Sequence, residues 1–330
     1  MAINKDIDLC GLGNALVDLQ IEISDDVIAS LETNKGEMRL VDSISQKKII
    51  ESLSHLKTHK SSGGSAANTI IAFSQFGGKA AYLTSLGDDE FGLFYSNEFL
   101  ELGINLEASK HKTEPTGTCL VLITPDAERT MLTSLGASAL FDVNNILEES
   151  IARSKWIYIE GYTFSQDTST DAVFKAIEFA KSHDTKISLT FSDVFIINLF
   201  KKNLAKVVAA SDLLFCNDSE AMSYTGKGDV NEAFLELGEQ CPNVVLTCGA
   251  KGSMVKWNNE HFSIPSYKTK SIDTTGAGDM YAGAFLYGML YSGSIEKAGN
   301  LASYAASRIV SQFGARLSEN PDEIKGYILK

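Results

Sequence analysis

Trp156-Ile-Tyr-Ile-Glu160, Lys186-Ile-Ser-Leu-Thr-Phe191, Leu213-Leu-Phe-Cys216 and Asn243-Val-Val-Leu-Thr247 are short apolar runs of strand length, and the stretches between them, Asp171–Ser182, Asn203–Ala210 and Asn231–Gln240, carry helical periodicity. Strands that alternate with helices predict a mostly parallel sheet covered by helices on both faces. A ligand is then expected at the carboxyl ends of the strands.

Toward the N-terminus the alternation is less regular. Asp8–Gly13 and Ala80–Leu86 read as further strands of the same sheet. The segments at about 18–45 and 105–135 do not fit it. They hold short runs, Leu19–Ile23 and Thr118–Ile123, bounded by charged, Gly or Pro residues, which predicts a small antiparallel sheet acting as a lid. The 330 residues suit one large domain, 1–330, with that lid as its appendage.

Composition narrows the function. With 44% hydrophobic and 22% charged residues the chain can bury a large core. Its net charge of −13, without a compensating basic stripe, excludes nucleic acid as a partner. Cys10, Cys119, Cys216, Cys241 and Cys248 are scattered and mostly sit in apolar runs, as reduced cysteines do. The start, MAINKDIDLC, has no signal-peptide core, and no apolar run approaches the ~20 residues of a membrane span. A soluble cytoplasmic protein without a membrane partner is expected.

Asp273-Thr-Thr-Gly-Ala-Gly-Asp279 leads into an apolar run from Met280 to Leu290. Small residues at the start of a helix leave the amides of Gly276, Ala277 and Gly278 free to bind an anion, helped by the helix dipole. The acid that follows, Asp279, is placed to take a proton from a hydroxyl while those amides stabilise phosphoryl charge.

This run, together with Ser62-Gly-Gly-Ser-Ala-Ala-Asn68, resembles the two signatures of the PfkB (ribokinase-like) carbohydrate kinase family, and the resemblance extends along nearly the whole chain. It implies a ribokinase-like three-layer α/β/α sandwich with a mostly parallel central sheet and a small β-sheet lid. It also implies an ATP-dependent kinase of a small sugar-bearing substrate, using magnesium, as a monomer or homodimer. By resemblance, Asp279 is the base, Gly276, Ala277 and Gly278 form the anion hole, and Arg129 supplies charge to the transferred phosphoryl. Asn14, Asp18, Gly63, Gly64 and Asn68 stand where the family holds sugar hydroxyls; a carboxylate and a carboxamide together make a compact polyol site.

Asn217 and Glu220 match an N-x-x-E element that positions magnesium through water, although a helix cap with an acid three residues on has the same sequence. Thr247, Gly249 and Gly252 resemble the phosphate-side ATP loop, and Asn300 stands where the family meets adenine. Asp273 and Thr275 match positions that hold a monovalent cation, such as potassium, in several relatives.

The branch most resembled is the adenosine-kinase-like one, through Gly13–Asp18, Lys35–Leu40, Glu128–Met131 and Glu160–Tyr162. Leu40, Met131, Leu135 and Tyr162 are either an apolar wall for a purine or plain lid core. A nucleoside such as adenosine, phosphorylated at its 5′-hydroxyl, is the expected substrate, with a free sugar as the alternative. Asp193 is an acid that nucleoside kinases of animals need not have; it either helps hold magnesium or marks another substrate.

Other signals fail. Gly11-Leu-Gly13-Asn-Ala-Leu16 lacks the third glycine of a dinucleotide site, and the chain has no Walker sequence. His55 and His59 have the spacing of a metal pair but no third ligand nearby.

Overall fold

The structure, a computed structural model, describes residues 3–31, 33–126 and 128–330. Its strands are β1 (Ile7–Leu12), β2 (Leu16–Glu22), β3 (Met38–Leu40), β4 (Thr58–Gly63), β5 (Ala80–Gly87), β6 (Asn105–His111), β7 (Gly117–Ile123), β8 (Arg129–Ser134), β9 (Ser154–Glu160), β10 (Lys186–Thr190), β11 (Leu213–Asn217), β12 (Asn243–Thr247), β13 (Ser253–Trp257) and β14 (Glu260–Ile264). The helices of the first half are α1 (Asp25–Ser30), α2 (Ser43–Ser52), α3 (Ser65–Gln75), α4 (Glu90–Glu101) and α5 (Glu148–Ala152). Those of the second half are α6 (Asp167–Ser182), α7 (Val194–Val208), α8 (Asp218–Thr225), α9 (Val230–Gln240), α10 (Ala277–Ser292), α11 (Ile295–Val310) and α12 (Pro321–Ile328).

The large sheet has the order β14-β13-β12-β11-β10-β9-β1-β5-β6. From β12 to β6 every neighbour is parallel, and the β13–β14 hairpin is added antiparallel at one edge. Its central strands are buried on both faces, and successive residues feed two separate cores. In β9, Trp156 and Tyr158 join the core with α3, α10 and α11, whereas Ile157 and Ile159 join the core with α6, α7 and α9. Leu213 and Phe215 against Leu214 and Cys216 repeat the pattern in β11. Two-residue periodicity of this kind makes three layers.

The small sheet, β3-β8-β7-β2-β4, corrects the expected lid. It is mixed, with β2–β7 and β3–β8 parallel and β2–β4 and β7–β8 antiparallel. It gains Thr58–Gly63, and it loses Asn105–His111, which pairs with β5 at the edge of the large sheet. β2 and β7 run parallel because each enters from the large sheet's side of the molecule, after β1 and after β6 respectively. α7 also begins earlier than the sequence reading places it, at the Asp193 cap, where the side chain accepts from Phe195 N at 2.7 Å. Asp193 is thus a helix cap in this structure.

Candidate active site

A cavity of about 350 Å³ lies between the two sheets. Glu160, Thr190, Asn217 and Thr247, the last residues of β9, β10, β11 and β12, all line it. The carboxyl ends of the parallel strands therefore form its floor, as expected for such a sheet.

Buried Glu160 holds the cavity's corner together. Its two oxygens accept from Asn14 N at 2.8 Å and Ala66 N at 2.6 Å, pinning the crossing from β1 to β2 against the start of α3. Burial pushes the Glu160 carboxyl up to about 7, against those two hydrogen bonds. At the same corner Gly64 caps α3 at φ 101°, and a Cβ there would lie 2.1 Å from Asn14 O, so the close approach requires glycine. Gly63 lies directly under the Asp18 carboxylate, where a Cβ would come within 2.4 Å of it. The sugar-side candidates Asn14, Asp18, Gly64 and Asn68 all line the cavity.

On the opposite corner, Gly276 caps α10 in the left-handed region at φ 74°. The Ala277 N–H closes the turn onto Thr274 O at 3.2 Å, which removes one of the three amides expected in the anion hole. Those of Gly276 and Gly278 make no hydrogen bond among the described residues and remain for an anion at the start of a sixteen-residue helix. One turn in, Asp279 accepts from Ser65 Oγ at 2.7 Å and from Asn68 Nδ2 at 3.1 Å. Burial pushes the Asp279 carboxyl up to about 6, and the Ser65 and Asn68 hydrogen bonds and Arg316 restrain the rise. A carboxylate with that value is ionised at neutral pH and still basic enough to receive a proton.

Further round the cavity, burial also takes Asp18 and Glu220 up to about 7. Arg316 opposes the rise at Asp18, and the Asn217 backbone N–H opposes it at Glu220. Leu40, Met131, Leu135 and Tyr162 complete the wall.

A family model for pfkB family carbohydrate kinases matches residues 44–323. The chain belongs to the pfkB family of carbohydrate kinases. The structure of adenosine kinase from Sinorhizobium meliloti is similar over 97% of this chain and 99% of that one, with a TM-score of 0.90 and 27% identity. Adenosine kinase 2 of Arabidopsis thaliana is 24% identical over 97% of this chain and 98% of its own length. A 5-dehydro-2-deoxygluconokinase of Halalkalibacterium halodurans is 30% identical over 76% of this chain and 80% of its own length. The three-layer sandwich with its small sheet is the ribokinase-like fold, and as a family member the chain is a phosphotransferase that acts on an alcohol group.

Family membership implies ATP and magnesium, and the site's residues fit both. Two free amides at the N-terminus of α10 suit a phosphate. No cluster of three or more His, Cys, Asp or Glu side chains suited to a metal occurs among the described residues. Magnesium usually keeps several waters and substrate phosphates in its shell. Glu220 would face such a hydrated ion. Its own oxygens are engaged in the capping box with Asn217, at 3.0 Å from Asn217 N and 2.9 Å from Asn217 Nδ2, so the N-x-x-E run is a helix cap in this structure.

Arg129 does not line the cavity; its Nη2 is bonded to Asp273 Oδ2, and its Nη1 is buried without a partner among the described residues. Asp273 in turn accepts from Arg129, from Thr275 N at 2.9 Å and from Gly314 N at 3.2 Å. Asn68 spends one end of its amide on Asp279 and the other on Arg316, leaving one N–H and one lone pair for a sugar.

The nucleotide candidates Gly249, Gly252 and Asn300 lie outside the cavity, with Asn300 Nδ2 bonded back to Glu296 O at 2.9 Å. Ser65, Glu160 and Arg316 were missed as site residues. Ser65 stands inside the Ser62–Asn68 run and Glu160 at the end of an apolar strand, where a lone acid is itself a signal. Arg316 follows no motif. No helix among the described residues is long and apolar enough to cross a membrane.

Proposed function

We propose that this kinase transfers the γ-phosphoryl group of ATP to the 5′-hydroxyl of a nucleoside, adenosine being the substrate its site fits best. The observation that carries the reading is the two-sided cavity. Asp279, Asn68 and Asp18 make one side polar, while Leu40, Met131, Leu135 and Tyr162 make another apolar enough for a purine. The adenosine kinases among its relatives support this choice.

In this reading Asp279 takes the proton of the attacking hydroxyl, and the Gly276 and Gly278 amides hold the transferred phosphoryl. Asp18, Gly64 and Asn68 orient the ribose. Magnesium, held through water near Glu220 and Asn217, neutralises phosphate charge. ATP runs outward past Thr247 to Gly249, Gly252 and Asn300. The small sheet closes over the sugar as a lid and excludes water. Phosphoryl transfer asks mainly for such positioning and charge stabilisation.

A free-sugar kinase is the second reading, favoured by the identity with a 5-dehydro-2-deoxygluconokinase. The test is kcat/KM, from ADP production, for adenosine, 2′-deoxyadenosine, inosine, ribose and 5-dehydro-2-deoxygluconate, with wild type and Asp18→Ala. Adenosine should lead, and 2′-deoxyadenosine should lose up to roughly 10⁴-fold in wild type, because a buried polar site rejects an analogue that lacks its hydroxyl. Asp18→Ala should shrink that gap. A sugar that outperforms every nucleoside would establish the second reading.

A further inference from the structure

Arg316 lies beyond α11, in the segment before α12, and is remote in sequence from every other group of the site. Its guanidinium nevertheless reaches three of them. Nη1 donates to Asn68 Oδ1 at 2.8 Å, Nη2 donates to Ser62 O, and Nε pairs with Glu98 Oε1 at 3.3 Å. The same Glu98 accepts from Ser62 N at 2.9 Å through its other oxygen, so Arg316 and Glu98 hold both backbone polar groups of Ser62 in β4. Gln75 secures the neighbouring residue, accepting from Leu317 N and donating to Leu317 O, both at 3.3 Å. The segment is thereby fixed to α3, the helix that carries Asn68.

An arginine has donors only. Whatever it touches on Asn68 must be the carbonyl oxygen, and the amide's NH₂ is then forced to the other side, where Asp279 Oδ2 waits at 3.1 Å. A carboxamide is otherwise free to turn over, and the turned form would set its oxygen against the Asp279 carboxylate.

We propose that Arg316 is a positioning residue of the phosphoryl-transfer site: through Asn68 it fixes the orientation of the base Asp279, and through Ser62 and Glu98 it joins that base to the last strand of the lid sheet. The inference rests on the reading of Asp279 as base. Arg316 also brings positive charge to a crowded acidic site. Asp279 faces Arg316 from the C-terminal segment, Asp18 from β2, Glu160 from β9 and Glu220 from α8, besides its hydrogen-bond donors on α3. Arg316 opposes the upward shift of both Asp279 and Asp18; Arg129, bonded to Asp273, opposes that of Asp18 as well.

The sign follows directly. Removing Arg316 removes a charge that favours ionised Asp279 and lets its second donor swing away. The base then protonates at higher pH, and activity lost at low pH is recovered only at higher pH than in wild type.

The experiment is the pH profile of kcat/KM for Arg316→Met, which keeps bulk without donors, for Arg316→Lys, which keeps charge, and for Asp279→Asn as the control for the base. Arg316→Met should shift the acid limb upward by about one pH unit, with most of the rate regained on the alkaline side, and Arg316→Lys should return the limb toward wild type. If Arg316→Met does not fold, Arg316→Gln decides by the same limb. An acid limb that stays in place in a folded neutral variant, whatever the rate, overturns the proposal and leaves Arg316 a structural tie. Asp279→Asn with near wild-type turnover would instead overturn the base assignment itself, so the two failures are told apart.

Discussion

The two walls of the cavity differ in how they are built. The wall made by α3, α10 and the strand ends of the large sheet is tied down atom by atom: Glu160 holds two backbone amides, and Asp279 is held on both oxygens. The small sheet is tied at Ser62 and through Arg129 to Asp273, but Leu40 and Met131, which it turns to the cavity, are apolar, and Leu40 is 45% exposed. Acid–base chemistry needs groups fixed to fractions of an ångström, whereas enclosing a ring needs only apolar area that can move over it. The fixed wall should thus set turnover and the movable one selectivity.

The largest effect that can break this division is at Asp279. Asp279→Asn keeps the shape of the side chain and should still bind ATP, but turnover should drop by ~10²–10⁴-fold, the usual worth of a general base. Single-turnover kinetics with an ATP-binding control checks it. Turnover within a few-fold of wild type would mean that the tied-down wall only supports the fold.

A smaller effect is expected across the cavity. Leu40→Ala should cost adenosine ~10-fold in kcat/KM, the lower end of what losing apolar contact in a pocket removes, since Leu40 is already partly exposed. Free ribose, which does not reach that wall, should be unaffected. If adenosine and ribose decline together, Leu40 is lid core and the wall does not read the base.

The same division decides what was legible in the sequence. The large sheet announced itself because its central strands are buried on both faces and read as unbroken apolar runs. The small sheet did not. β4, Thr58-His-Lys-Ser-Ser-Gly63, contains no apolar side chain and is held to β2 by its backbone ladder, so hydrophobic pattern cannot find it. β6 was read as lid because an edge strand with one neighbour stays half-exposed and polar. The start of α7 was obscured where the helix kinks at Phe200 and leaves Phe195 and Leu199 exposed, which breaks its period.

In the site, residues within local motifs were found and the remote tie was not. Asp279, Gly64 and Asn68 sit in short runs whose glycines the backbone demands. Arg129 was found, but its partner was not: a lone arginine in a sequence does not say which carboxylate it will meet, and here that is Asp273, far along the chain. Arg316 reaches the site only because the segment after α11 is fastened to α3 through Leu317 and Gln75, a matter of tertiary packing alone.

The smallest effect is thermodynamic and tests whether the tied-down wall is strained before substrate arrives. Burial raises Asp18, Glu160 and Glu220 to about 7 and Asp279 to about 6, whereas in the unfolded chain such carboxyls titrate near about 4. Between those values the folded protein binds more protons than the unfolded one, so stability is greatest toward the lower end and is lost as pH rises through the folded values. Asp6 and Asp126, held down to about 2 by Arg153 and Lys35, act with the opposite sign but only below about pH 4, outside this window. The ligand-free protein should therefore melt a few degrees lower at about pH 8 than at about pH 6, a modest change because interacting carboxyls titrate as a group and a large chain converts free energy into little shift of Tm. Magnesium with an ATP analogue should reduce the difference, since cationic charge near Glu220 favours the ionised forms. Differential scanning calorimetry across that range is the measurement. A Tm that is level or rises with pH would show the carboxylates ionised at no cost in the folded protein, and the contrast between a strained wall and a compliant one would then disappear.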